Sequence, residues 1–240
     1  MNCSRTKKTM KSGLIFSELA NLFYPDICLV CSVELLAKEE WVCLSCLYEL
    51  PKTGNFRNKG NLAETLMAGR IPFHRIASYC MYTKGGKLPN LIHHLKYYGK
   101  KEIVIKLVRL FGHDLVDSEF LKPIELIVPV PLHPKKEKAR GYNQAEMIAE
   151  GLSQATSLPV SIGNLKRIIS NPTQTKRTKT QRWENVKGIF EVEDTHLFEG
   201  KHLLLVDDVI TTGSTIEACG IALQACHDVT ISIATIGQVP

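Results

Sequence analysis

No apolar run in this chain approaches the roughly 18 residues that a membrane-crossing helix needs, so no membrane span is expected. Aromatic residues make up only 7%, and those suited to stacking on bases reduce to Tyr97, Tyr98, Tyr142 and Trp183. Aromatics that could stack on bases are therefore sparse. There is no GxxxxGK[ST] loop for a nucleoside triphosphate and no GxGxxG after a strand for a dinucleotide. The N-terminus has basic residues before a modest apolar stretch, but Glu18 and Asn21 interrupt it and no small-residue cleavage site follows. That argues against a secretory signal. An amphipathic helix over Leu14, Ile15, Leu19 and Leu22 fits residues 1–24 better.

What is present is ordinary in bulk and uneven in distribution. The chain has 240 residues, 44% hydrophobic and 22% charged, enough for one sizeable core and a small module. The formal charge is +6, yet 11 basic residues face 4 acidic ones between Leu132 and Lys187, a local +7. Such a stretch is a solvated basic face or an anion site for phosphate or nucleic acid.

Eight cysteines are present, and four of them, Cys28, Cys31, Cys43 and Cys46, form two CxxC pairs separated by eleven residues. Each CxxC turn lets both thiolates face one ion, and a short hairpin brings the second pair across. A redox motif would not need the second pair, so structural Zn(II) is the leading reading ahead of disulfides. Four thiolates leave no open position for water, so no catalysis is assigned there. Cys80, Cys219 and Cys226 read as small core residues. The pair His93 and His94 lacks ligand spacing and reads as helix surface and core edge.

Residues 25–51 are thus expected to form the four-cysteine module, 52–72 a linker rich in turn formers, and 73–240 the main domain. In that domain strand-like and helix-like runs alternate. RIASYCMY, IELIVPVP, HLLLVDDV and DVTISIATIG read as strands. KLPNLIHHLKYYG, KEIVIKLVRLFGHDLV, QAEMIAEGLSQA and STIEACGIALQAC read as helices, with Leu88, Leu91, Ile92 and Leu95, for example, at helical spacing. The fold class is α/β, with a mostly parallel sheet flanked by helices.

Ligands in such sheets bind at the carboxyl ends of the strands. There the chain reads LLLVDDVITTGST, residues 203–215. Asp207 and Asp208 can accept hydrogen bonds from a diol. Gly213, the hydroxyls of Thr211, Thr212, Ser214 and Thr215, and a following helix N-terminus can cradle a monophosphate. The local chemistry is that of a sugar-phosphate site.

This motif resembles the phosphoribosyl-pyrophosphate (PRPP) loop of the type I phosphoribosyltransferases. The four-cysteine module, VPVPLHPKKEKARGYNQAEMIA and TQTKRTKTQRWENVKGIF together resemble the competence protein F (ComF) family, from Leu19 to the end. The resemblance implies a type I phosphoribosyltransferase-like fold behind a zinc ribbon. It implies that Asp207 and Asp208 hold the ribose 2′- and 3′-hydroxyls with Mg(II) nearby, and that Thr211, Thr212, Gly213, Ser214 and Thr215 hold the 5′-phosphate. Val130, Pro131 and Leu132 would form the pyrophosphate loop. Arg140, Asn143 and Gln144 follow it. Residues 171–185, with Lys176, Arg177, Lys179 and Arg182, would form a mobile hood. Asp207, Asp208, Arg140 and Arg182 are the candidate catalytic residues.

The implied function is that of a cytoplasmic PRPP-binding protein in natural transformation and DNA uptake, with single-stranded DNA and a competence helicase as partners. As an enzyme it would be a phosphoribosyltransferase, a glycosyltransferase with an unidentified acceptor. The alternative is nucleotide metabolism or salvage with no DNA role. An amidophosphoribosyltransferase is not expected, because no glutamine-amidotransferase segment is evident and Cys3 is not at the start.

Overall fold

A computed structural model describes residues 25–97, 101–169 and 188–240. The segments 1–24 and 171–185, with Arg182 and the other hood residues, lie outside them. The chain divides into two compact units that meet in sequence at Glu49 and Leu50.

In the first unit, antiparallel bridges Ile27–Glu34 and Glu40–Val42 fold the chain into a tight hairpin, and the Leu29 amide donates to the Trp41 carbonyl at 2.8 Å. A short helix α1 (Leu44–Tyr48) follows, with Cys43 as its N-cap. The Glu39 carboxylate accepts from the Leu36 and Leu44 amides, both at 2.8 Å, and so ties the hairpin to the helix start.

The second unit is built on a sheet of β1 (Ile76–Met81), β2 (Leu126–Pro129), β5 (His202–Ile210) and β6 (Thr230–Gln238), in the order β1-β6-β5-β2. Its pairings are all parallel. A parallel sheet is covered on both faces, which is why HLLLV runs without alternation. Leu203 and Leu205 join the buried cluster with Ile216, Cys219 and Leu223. Leu204 and Val206 are equally buried, and the two-residue period of a strand puts them on the opposite face.

Helices α3 (Lys87–Tyr97), α4 (Lys101–Val116), α6 (Gln144–Thr156) and α7 (Ser214–Leu223) follow the four helical patterns. On α6, Ala145, Ile148, Ala149 and Leu152 are all buried, as their spacing requires. α4 and α6 pack closely through two glycines: a Cβ on Gly112 would meet that of Ala155 at 2.5 Å, and one on Gly151 would meet Val108 at 2.9 Å. Cys80, Cys219 and Cys226 are buried, as expected of core residues. His93 is exposed, while the His94 side chain lies outside the described residues.

Three elements were not visible as periodic patterns. Helix α5 (Pro134–Arg140) is short and mostly charged. A two-stranded hairpin of β3 (Leu165–Arg167) and β4 (Phe190–Val192) has three residues per strand. Third, the stretch 52–72 holds more structure than its turn formers suggest. Lys52 bridges Cys80 and adds an antiparallel edge to β1. Helix α2 (Leu62–Met67) starts in a capping box of Asn61 and Glu64. Phe56, Ala63, Met67 and Ile71 are buried, and the buried Arg75–Glu64 pair at 3.2 Å closes the segment over β1.

Candidate functional site

The connections of the sheet create the site. β2 leads through α5 and α6 to Val160, which bridges Ile127 in parallel on the side of β2 away from β5. β5 leads through α7 to β6, on its other side. The chain therefore leaves neighbouring strands β2 and β5 in opposite directions. A crevice opens at the carboxyl ends of strands where this happens.

β2 stops at Pro129, paired with Val206, and the Val130 amide makes the last bond of that ladder to the Val206 carbonyl at 2.9 Å. β5 continues to Ile210 against β6 alone. Asp207 and Asp208 thus stand inside β5, at the point where its β2 partner ends, rather than at the end of the strand. The β6 ladder, with Asp207 opposite Thr235 and Val209 opposite Gly237, carries the strand past them. Both carboxylates are half-buried. Asp207 Oδ1 accepts the Asp208 amide at 2.8 Å, and Asp208 Oδ1 accepts the Val209 amide at 2.7 Å, so one oxygen of each is oriented by the backbone.

The loop after β5 exposes Thr211, Thr212, Ser214 and Thr215 around a buried Gly213. Gly213 has a φ of 75°, and a Cβ there would meet Met67 Sδ at 2.4 Å, so conformation and space both require glycine. Gly213 is also the N-cap of α7 and supplies no side chain to that helix start. The first amides of α7 are therefore left for another acceptor. Thr212 Oγ1 and Ser214 Oγ lie 3.0 Å apart on the same loop.

Across the crevice, Val130 is buried and Pro131 and Leu132 are half-buried. Asn143 fixes this side: it caps α6 through the Ala145 amide at 3.0 Å, and its Nδ2 donates to the Val130 carbonyl at 3.1 Å. Its Nδ2 also donates to Glu146 Oε1 at 3.2 Å. Burial raises the Glu146 carboxyl, and the Asn143 hydrogen bond opposes that rise. Arg140 ends α5, half-buried, and its Nη1 donates to Gln144 Oε1 at 3.1 Å. The amide Nε2 of Gln144, buried, has no hydrogen-bond partner among the described residues. Loop 130–132 and the acids of β5 are brought together by direct strand pairing. Arg182 falls outside the described residues.

The cysteine cluster is a separate site in the first unit. The four sulfurs of Cys28, Cys31, Cys43 and Cys46 lie within 4.8 Å of one another, and Cys31 Sγ is 3.7 Å from Cys43 Sγ. Thiolates at the usual zinc distance sit roughly 3.8 Å apart at the corners of a tetrahedron, so the donor set and spacing fit a tetrahedral metal. Burial pushes the Cys28 thiol up, but the amides of Cys43, Cys31 and Val30 outweigh it and bring the thiol down to about 6. Burial and the neighbouring cysteines push Cys46 up to about 12. Crowded sulfurs of this kind resist joint deprotonation unless a cation offsets their charge. Among the described residues no helix is long and apolar enough to cross a membrane.

The chain is similar in sequence to several known proteins. The family model described as phosphoribosyl transferase domain matches residues 142–237. The chain is 27% identical over 206 residues to DNA utilization protein YhgH of Salmonella typhimurium strain LT2, covering 81% of this chain and 89% of that protein. Competence protein ComFC of Bacillus subtilis is 27% identical over 224 residues, 79% of this chain and 85% of its own. Competence protein F of Haemophilus influenzae is 36% identical over 112 residues, 46% of this chain and 49% of its own.

Proposed function

For this chain, a ComF-family protein with a phosphoribosyltransferase-like fold, we propose that the crevice between β2 and β5 binds PRPP. The observation that carries the reading is the pairing of two oriented carboxylates with an uncapped, hydroxyl-rich helix start, at the place where the sheet connections diverge. Asp207 and Asp208 accept the 2′- and 3′-hydroxyls of the ribose. Thr211, Thr212, Ser214 and Thr215, with the backbone at Gly213, hold the 5′-phosphate. The loop Val130, Pro131 and Leu132 and the Arg140 guanidinium face the pyrophosphate, and Arg182 adds charge from the hood segment.

The carboxylates of Asp207 and Asp208 are hard oxygen ligands of the kind Mg(II) prefers. When bound, Mg(II) offsets the charge of the pyrophosphate as the bond from it to ribose C1 weakens. The chain's own contribution is to hold the sugar by its diol and its phosphate, so that C1 stays aligned with the leaving group and an incoming acceptor. Transfer to an acceptor is tested by screening bases and amines for pyrophosphate release. Binding is tested by calorimetry with PRPP and Mg(II). No heat with the wild-type chain, or equal affinity in the Asp207→Asn/Asp208→Asn variant, would sink the reading.

The first unit is read as a structural zinc ribbon, supported by the tetrahedral fit of its four thiols. The biological setting is natural transformation and DNA uptake in the cytoplasm, with single-stranded DNA and a competence helicase as partners. The relatives' names, DNA utilization protein and competence protein, support it. So do the +7 stretch and the absence of disulfides among the described residues, which suits a reducing compartment. A salvage enzyme without a DNA role has no such support. Single-strand DNA binding should weaken steeply with salt, and negligible affinity at low salt would move the DNA role to a protein partner.

A further inference from the structure

The phosphate loop is held from below by a segment with no sequence signature for it. Arg70 Nη1 donates to the Thr212 carbonyl at 2.5 Å and lies 3.4 Å from Glu217 Oε2, so it spans the loop and the first turn of α7. Its side chain is about one-third exposed and that of Glu217 is largely covered, at 18%. Two further contacts come from the same stretch. Met67 packs against Gly213 closely enough that a Cβ would meet its sulfur at 2.4 Å, and Ile71 packs against Gly220 with the same 2.4 Å clearance.

A trans peptide points its C=O and N–H in opposite directions. Fixing the Thr212 carbonyl on Arg70 therefore turns the Gly213 amide to the other side of the loop. That amide and those of Ser214 and Thr215 donate to no acceptor among the described residues.

From this geometry we infer that Arg70 is a positioning residue for the sugar 5′-phosphate: by clamping Thr212 and Glu217 it presents the Gly213 amide to the phosphate. This rests on the PRPP reading, and it adds that the loop's competence depends on residues 67–71, outside the loop itself.

The test titrates ribose 5-phosphate, which lacks pyrophosphate, into the full chain and follows the Gly213 amide by NMR. In the wild type the Gly213 proton should move downfield as phosphate binds. In Arg70→Ala the affinity should fall about tenfold, the loss of one charge-assisted hydrogen bond, and the Gly213 shift should vanish. The thermal unfolding midpoint should fall by only a few degrees for the lost Thr212 and Glu217 contacts, whereas loss of the Gly213 shift is an effect that a purely structural role for Arg70 would not produce. Arg70→Lys keeps a charged donor for the Thr212 carbonyl but lacks the rigid planar head that holds Nη1 between Thr212 and Glu217, so it should recover part of the affinity and the Gly213 shift. Wild-type affinity and an unchanged Gly213 shift in Arg70→Ala would overturn the inference while leaving PRPP binding intact. A wild-type chain that ignores both ribose 5-phosphate and PRPP would overturn the PRPP reading and the inference with it.

Discussion

The two units are stable for different reasons. In the first, the buried hydrophobics among the described residues are Cys28, Val42, Cys43 and Cys46, so three of four are prospective metal ligands. Its larger apolar side chains face outward, with Leu36 73% and Tyr48 90% exposed. In the second, a parallel sheet buries Leu203 to Val206 completely between helical layers. One unit has a cluster of four thiols at its centre, the other apolar area removed from water.

The largest effect is expected at the four thiols of the first unit. Chelation, or Cys46→Ser, should unfold residues 25–49, because structural zinc supplies about 10–16 kcal/mol to comparable domains. Circular dichroism and zinc release should report this, while the transition of the second unit persists. If the first unit keeps its amide protection without metal, its core is not the thiol cluster.

Next in size, Leu205→Ala should destabilise the second unit by about 2–5 kcal/mol, the range for truncating a buried leucine. Denaturant unfolding measures it, and zinc content should be unchanged. A smaller loss is expected for Gly213→Ala, on the order of 1–2 kcal/mol, because alanine takes on a left-handed conformation. Its clash with Met67 Sδ should also weaken phosphate binding, which ribose 5-phosphate titration would show.

The smallest effect concerns pH. His202 is largely buried, with its Nε2 2.8 Å from Ser232 Oγ and its ring edge-on to His74 at 5.0 Å. Burial, and then the His74 charge, lower its pKa. The folded state therefore favours neutral His202, and the unfolded chain takes up a proton first as pH falls. Stability should be full above about 6.5, the unfolded value, and decline as pH drops from there toward the lowered folded value. His202→Gln should flatten that slope in urea titrations at pH 5 to 7.5.

The long elements were legible because each carries one clear period. QAEMIAEGLSQA has a single apolar face, and HLLLV is apolar throughout because the parallel sheet is covered on both sides. Helix α2 shows no repeat because its six residues span fewer than two helical turns, although its Asn61–Glu64 capping box is a readable signal. The strands of the β3–β4 hairpin are too short to alternate. For the candidate site, Asp207, Asp208 and the Thr211–Thr215 loop stand out in the sequence because their chemistry is contiguous. Arg70 was not, because its partners Thr212 and Glu217 lie more than 140 positions away and only the fold joins them. The four thiols were legible for the opposite reason, as a CxxC turn is a local geometry.

The crevice at the carboxyl ends of β2 and β5 is proposed as a PRPP site organised by the acids of β5. Its most direct test is calorimetric titration of the full chain with PRPP and Mg(II), beside the Asp207→Asn/Asp208→Asn variant. Saturable binding is expected for the wild type, with at least about a tenfold loss in the variant, as for losing charged acceptors of hydroxyl hydrogen bonds. Equal affinity in the two proteins, or none in either, would contradict it.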